Sequence, residues 1–191
     1  MSAEKKFPFA AVVLAAGAGR RFGQAKVSAT LPDGRRFLDV VVEHCRTAGA
    51  DPVVVVVPPA VDVPSGVRVV VNANAGGEQV TSLRLGLAQL ANSTAGGALI
   101  WPVDHPFALA TSGLAVVDAA CRTAAPIVVP VHEGKRGHPV WFARDTWREL
   151  MTVAQGGARA VVHAYGARVH EVAVSDAGVL RDVDTLADLH G

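Results

Sequence analysis

Hydrophobic positions along this chain follow two rhythms. Seven short runs are almost continuously apolar, rich in Val and Ala: residues 9–15, 52–57, 67–71, 98–103, 127–131, 139–142 and 168–174. A strand with one wet face alternates, whereas a strand covered on both faces does not. Such runs therefore point to a mostly parallel sheet between two layers of helix. Between them, apolar residues recur three and four apart. Leu38, Val41, Val42 and Cys45 form one stripe, which stops at Gly49, a residue suited to ending a helix. Val80, Leu83, Leu87 and Leu90 form a second stripe. A third helix opens on Thr111 and Ser112, whose hydroxyls suit a cap, and stops before Pro126. The order is β-α-β-β-α-β-α-β, followed by a strand-rich tail with two more helices. This predicts one three-layer α/β domain over residues 1–191. Residues 132–139 read as a polar loop between strands.

Charge and cysteine content narrow the function. The 18 Lys and Arg against 17 Asp and Glu leave a net charge of +1, which supplies no basic field for nucleic acid. No apolar run reaches the roughly 18 residues of a membrane span. Cys45 and Cys121 are far apart in sequence and each lies in a helical stretch. Two buried, reduced thiols are expected, not a disulfide or a zinc site. The seven histidines show no metal-ligand spacing.

The segment FPFAAVVLAAGAGRRFGQAK, residues 7–26, has two readings. Lys5 and Lys6 ahead of an apolar run, with small residues after it, look like a secretory signal. The same residues read as a buried strand entering a glycine-rich loop. Ligands of an open parallel sheet bind at the C-terminal strand ends, where glycines let backbone N–H groups approach an anion. Gly17, Gly19 and Gly23 interleaved with Arg20, Arg21 and Lys26 suit phosphate, and a signal needs no such spacing. The loop reading is preferred, and the protein is expected in the cytoplasm. The Walker pattern fails, because Phe22 stands where its second glycine belongs. The dinucleotide pattern fails at the same residue, since Gly23 comes one position late.

The loop does match L-x-x-G-x-x-x-R-[MF]-G-x-x-K through Leu14, Gly17, Arg21, Phe22, Gly23 and Lys26. In this it resembles the MobA-like nucleotidyltransferases, among them the molybdenum cofactor guanylyl- and cytidylyltransferases. The resemblance continues along the chain. GEQVTSLRLGL is similar to a family helix start at Gly77, Ser82, Arg84, Gly86 and Leu87. LIWPVDHPF puts Asp104 at a strand end, as in the family's D-x-P segment, with His105 where Gln is usual. GHPVWF, from Gly137 and His138, is similar to a segment of the cytidylyltransferase branch, and GGARAVV carries Arg159. LRDVDTLADL is similar to the family's ending, with Leu186 and Ala187 in place of Pro and Glu. Asp182 and Asp184 alternate there and share a face on extended backbone, while Asp188 is expected on a helix surface.

The resemblance implies a Rossmann-like α/β/α nucleotidyltransferase fold. Residues 7–105 would bind a nucleoside triphosphate and residues 106–191 the acceptor. The nucleotide would contact Leu14, Ala15, Ala16, Gly17, Gly19, Arg21, Gly23, Lys26, Gly77, Ser82 and Arg84. Arg21 and Lys26 would neutralise phosphate charge. Mg²⁺ would be held by Asp104 and by Asp184 or Asp182, with Asp184 preferred. His138 and Arg159 would meet the acceptor. A phosphate oxygen of the acceptor would attack the α-phosphorus and release pyrophosphate. That nucleophile is already ionised at neutral pH, so positioning and charge stabilisation suffice without a general base. In the resembled family LAAG loops accompany CTP and LAGG loops GTP, and residues 14–17 here read LAAG. CTP and a molybdenum-cofactor-type acceptor are favoured, with transient contact to an enzyme that receives the product. A sugar-, polyol- or other small-phosphate transferase is the alternative. A non-catalytic nucleotide-binding module and a dinucleotide-binding oxidoreductase are weaker readings.

Overall fold

The structure is a computed structural model that describes residues 7–17, 26–74 and 79–189, the side chains of Lys26 and Leu186 excepted. Every apolar run becomes a strand: β1 (Ala10–Leu14), β2 (Val53–Val57), β3 (Arg68–Val71), β4 (Gly97–Pro102), β5 (Ile127–His132), β7 (Val140–Ala143) and β8 (Val169–Ala173). A two-residue strand, β6 (Lys135–Arg136), lies between β5 and β7 in the chain. The helices are α1 (Phe37–Thr47), α2 (Gln79–Ala88), α3 (Ala110–Thr123), α4 (Trp147–Thr152) and α5 (Gly157–Tyr165). One sheet orders the strands β3-β2-β1-β4-β7-β5-β6, with β8 alongside β5. From β3 to β4 all neighbours are parallel, β7 is antiparallel to β4 and β5, and β8 is parallel to β5.

β1 lies between β2 and β4, so the N-terminal apolar run is a core strand at the middle of the sheet. Its residues feed two separate cores in turn. Ala11 and Val13 pack with α1 and α3, while Ala10, Val12 and Leu14 pack with α2, α4 and α5. Both faces are covered, which is the physical reason the run is continuous. Gly86 belongs to this packing. A Cβ there would lie 2.4 Å from Val12 Cγ1, so the helix rests on the strand at a distance only glycine permits. Packing therefore accounts for a helix-interior glycine, which would otherwise cost about 1 kcal/mol relative to Ala.

Four local expectations are corrected. The segment 132–139 is not all loop, because it contains β6, antiparallel to β5. Neither Thr111 nor Ser112 caps α3, which begins at Ala110 with Leu109 at the cap position. Cys121 is exposed, whereas Cys45 is fully buried, and both thiols are free. Burial pushes the Cys45 thiol well above its usual range, leaving it a neutral core side chain. Asp188 is not a passive surface residue. Its Oδ2 accepts from the Asp184 and Thr185 N–H groups at 3.0 and 2.7 Å and from the Thr185 hydroxyl at 2.9 Å. These bonds to the charged form hold its carboxyl below the usual range.

Candidate active site

The parallel strands β1 and β4 end side by side. Beyond β1 the chain continues through Ala15, Ala16 and Gly17, and beyond β4 it turns at Asp104, with the Val103 N–H donating to Leu14 O at 3.0 Å. A cavity of about 220 Å³ opens there, lined by Leu14, Ala16, Gly17, Gln79, Ser82 and Asp104. Among the described residues, a Cβ added at Gly17 would meet nothing within 4 Å, and open space there suits a ligand that approaches the backbone. The turn carrying Asp104 is braced from below. The buried Trp101 indole donates to His105 O at 3.2 Å, and Gly113 lets α3 close over the Trp101 ring.

The C-terminal segment runs as a strap across these strand ends. Asp176 starts it: Oδ2 accepts from the Leu109 N–H (2.8 Å) and the Ser112 hydroxyl (2.7 Å), and Oδ1 from the Gly178 N–H (2.8 Å). The N-terminus of α3 is thus served by a carboxylate 64 residues from Ser112 in the chain. Val179 and Val183 are fully buried, and the Val183 N–H donates to Asp104 O at 2.8 Å. That bond sets residues 182–184 beside Asp104, with Asp182 exposed and Asp184 half-buried. Asp104 and Asp184 are oxygen donors of the kind a hard cation takes. Among the described residues no group of three His, Cys, Asp or Glu is gathered for a metal. One or two carboxylates, with the remaining shell left to water and substrate phosphates, is the usual way Mg²⁺ is bound, so the residues fit that ion.

His138 reaches the same place from the other half of the chain. Arg136 and Lys135 pair with β5 in one register, and Trp141 and Phe142 pair with it in another. The Gly137 N–H bonds Pro130 O, and Trp141 lies opposite Val128. Between those points β5 has only Val129, while the partner strand has residues 138–140. The two extra residues bulge out of the ladder, and Pro139 has no N–H to lose there. The His138 N–H donates instead to Val179 O at 2.8 Å, and its ring lies 4.6 Å from that of His105. His105 Nε2 is 4.0 Å from Asp104 Oδ1. Gly137 permits this crossing, because a Cβ would fall 2.3 Å from Val179 O.

Burial pushes the His138 imidazole down to about 4, with His105 acting in the same direction and Asp104 opposing. The sign of the pH effect follows. The unfolded chain takes up a proton near the ordinary value of about 6.5, while the folded chain resists until about 4. His138 therefore favours the fold fully above pH 6.5, and this contribution is lost as pH falls towards 4. The half-buried His44, depressed by burial against an opposing bond to the Ala108 carbonyl, acts in the same sense. The His138 contribution is about 3 kcal/mol at most, from the conversion of about 1.4 kcal/mol per unit. Urea unfolding in metal-free buffer across this range should show stability falling with pH, with a shallower fall in His138→Gln. Equal slopes in the two proteins would show that His138 is not held neutral.

A larger cavity, about 890 Å³, adjoins the smaller one and shares Leu14 and Gln79 with it. Its floor includes Leu83, Ile100, Val140 and Phe142, and its wall includes His138 and Arg159. The structure thus brings Leu14, Ala16, Gly17, Ser82 and Asp104 to one cavity and His138 and Arg159 to the other. Ala15 is fully buried behind β1, so its side chain faces the core. The Arg84 guanidinium donates to Leu150 O at 3.3 Å and to Val153 O, tying α2 to the end of α4. Ser82 also has an internal partner, the Asn72 side-chain amide at 3.0 Å. Gly19, Arg21, Gly23 and Gly77 lie outside the described residues, as does the Lys26 side chain. Sequence reasoning missed Gln79, which lines both cavities, and Arg136, which lines the larger one. Neither residue type carries a signal without its position.

A mostly parallel sheet with a loop and an acid at adjacent strand ends defines the class: this is a Rossmann-like nucleotidyltransferase. The chain belongs to the MobA-like NTP transferase domain family, which matches residues 11–171. It is similar to Rv0371c from Mycobacterium tuberculosis H37Rv, with 30% identity, TM-score 0.80 and 96% of each chain covered. A structure of that protein in complex with manganese aligns with TM-score 0.76 at 28% identity, covering 96% of each chain. 2-C-methyl-D-erythritol 4-phosphate cytidylyltransferase from Thermus thermophilus shares the fold at 20% identity and TM-score 0.70, covering 95% of this chain and 96% of that one. No curated protein matches the sequence. Among the described residues no helix is long and apolar enough to cross a membrane.

Proposed function

We propose that this enzyme transfers CMP from CTP to a phosphorylated small molecule of the molybdenum cofactor type, releasing pyrophosphate. The observation that carries the reading is the pair of cavities meeting at Leu14 and Gln79, with Asp104 on the smaller one and His138 on the larger. Two anionic reactants would enter from opposite sides and meet at the strand ends. In this reading Ala16, Gly17 and the loop to Lys26 take the nucleotide, with Arg21 and Lys26 neutralising its phosphates. His138 and Arg159 take the acceptor. Asp104 and Asp184 hold Mg²⁺, which supplies positive charge at the reacting phosphates when bound. The residues themselves bind, orient and screen charge, and no proton need be removed from a phosphate nucleophile.

The choice of CTP rests on Ala16, whose buried side chain lies on the smaller cavity. A methyl group there leaves room for a pyrimidine and crowds a purine. Pyrophosphate release across CTP, GTP, UTP and ATP, with pterin-type and polyol-phosphate acceptors, tests both halves of the reading. Preference for GTP in the wild type rejects the CTP assignment, and turnover only with the polyol phosphate rejects the acceptor. Ala16→Gly should shift the GTP to CTP ratio of kcat/KM by about ten-fold, since one steric contact is worth about 1–3 kcal/mol. An unchanged ratio would move base reading elsewhere.

A further inference from the structure

The larger cavity holds more positive charge than one phosphate requires. Arg136 lines it from β6, and Arg159 lines it from the first turn of α5. Arg136 is oriented by Glu171 on β8, whose Oε1 accepts from Arg136 Nε at 2.7 Å. That contact uses the inner edge of the guanidinium. Its two terminal nitrogens, and the whole guanidinium of Arg159, have no hydrogen-bond or ion-pair partner among the described residues. The start of α5 adds to this field. Gly156 and Gly157 both border the cavity, and the helix has no side-chain cap and no acid in its first turn. Its first N–H groups lack intrahelical partners and carry the positive end of the helix dipole. His138 lies on the same cavity, half-buried, with its buried Nδ1 lacking a hydrogen-bond partner among the described residues. It neighbours Asp104 through His105, whereas Arg136 belongs to the strand beyond the bulge. Between these polar groups the floor is apolar, with Leu83, Ile100 and Phe142.

We propose that Arg136, Arg159 and the start of α5 form a second anion subsite, so that the acceptor carries two anionic groups on an apolar body. The phosphate at the His138 end is the nucleophile, and a second anionic group at the Arg136 end fixes the orientation of the acceptor. Glu171 is a positioning residue that acts through Arg136. This inference rests on the acceptor reading of the larger cavity and narrows its substrate class: a phosphate monoester with one charged group would leave two guanidinium groups unmatched.

The test uses the full chain with Mn²⁺ and a non-hydrolysable CTP analogue, so that the nucleotide's own anion sites are filled. Phenyl phosphate and 4-carboxyphenyl phosphate are titrated by calorimetry. They differ by one anionic group on the same apolar body. The wild type should bind the carboxylated ester about ten-fold more tightly, as expected of a charge-assisted, bidentate contact. In Arg136→Gln/Arg159→Gln the two esters should bind within about two-fold of each other. Glu171→Gln keeps both arginines and should lose part of the preference, by about three-fold, which bears on the proposal even where the double variant folds poorly. Equal binding of the two esters to the wild type overturns the subsite and leaves the acceptor cavity standing. A preference that survives in the double variant also overturns it. Binding of neither ester while the CTP analogue still binds overturns the acceptor reading of the cavity, and the subsite with it.

Discussion

Asp104→Asn should retain the fold and lose turnover by on the order of 10²-fold or more. The fold should hold because the Asp104 backbone anchors the strap: Asp104 O accepts the Val183 N–H at 2.8 Å. The turn is also braced by Trp101 through His105 O. On the proposed reading the rate is not safe, because the substitution replaces a hard anionic oxygen with a neutral amide where a divalent cation and two phosphate-bearing reactants would meet. Preorganised charge at such a site is worth a few kcal/mol to the transition state. The readouts are pyrophosphate release at saturating Mg²⁺ and Mn²⁺ affinity measured without acceptor, so a lost ligand is distinguished from a lost substrate contact. Asp184→Asn should follow Asp104→Asn, and Asp182→Asn should cost less, because Asp182 is exposed whereas Asp184 is half-buried. Near-wild-type turnover and Mn²⁺ affinity in Asp104→Asn would remove it from the metal site.

Gly178→Ala should damage stability and catalysis together. The added Cβ would lie 2.1 Å from Phe107 O and 2.5 Å from its carbonyl carbon. Both atoms are backbone, so no side chain can swing away, and the strap or the segment before α3 must move. Overpacking of this kind costs about 1–3 kcal/mol, or roughly 2–4 °C in melting temperature per kcal/mol for a chain of this size. The strap is also what sets residues 182–184 against Asp104, through Val179, Val183 and Arg181 stacked 3.8 Å over the Phe107 ring. A shift of these elements should lower turnover by on the order of ten-fold, since displacements near 1 Å at reacting groups are costly. Asp176→Asn tests the same strap from its other end, at the Leu109 and Ser112 contacts. A Gly178→Ala protein with unchanged melting temperature and turnover would show that the strap does not set the site.

The layers were legible in the order of residues alone. Continuous apolar runs report that both strand faces are covered, and helical stripes such as Leu38, Val41, Val42 and Cys45 report the face each helix buries. Both are local patterns, dictated by backbone period and solvent exclusion. The acid after β4 was legible for the same reason, because an apolar strand followed two residues on by Asp104 places that acid at the C-terminal end of the sheet. Who stands next to whom is a different matter. The bulge that carries His138 to His105 depends on a register offset between strands, and no local pattern encodes a register. Asp176 serves a helix 64 residues from it in the chain, Arg84 donates to carbonyls at the end of α4, and Arg136 lines a cavity while pairing with Glu171 on β8. An arginine on a helix reads the same in sequence whether it meets a phosphate or a carbonyl. Only the packing of distant segments, driven by apolar burial on both sides of one sheet, decides which of these it meets.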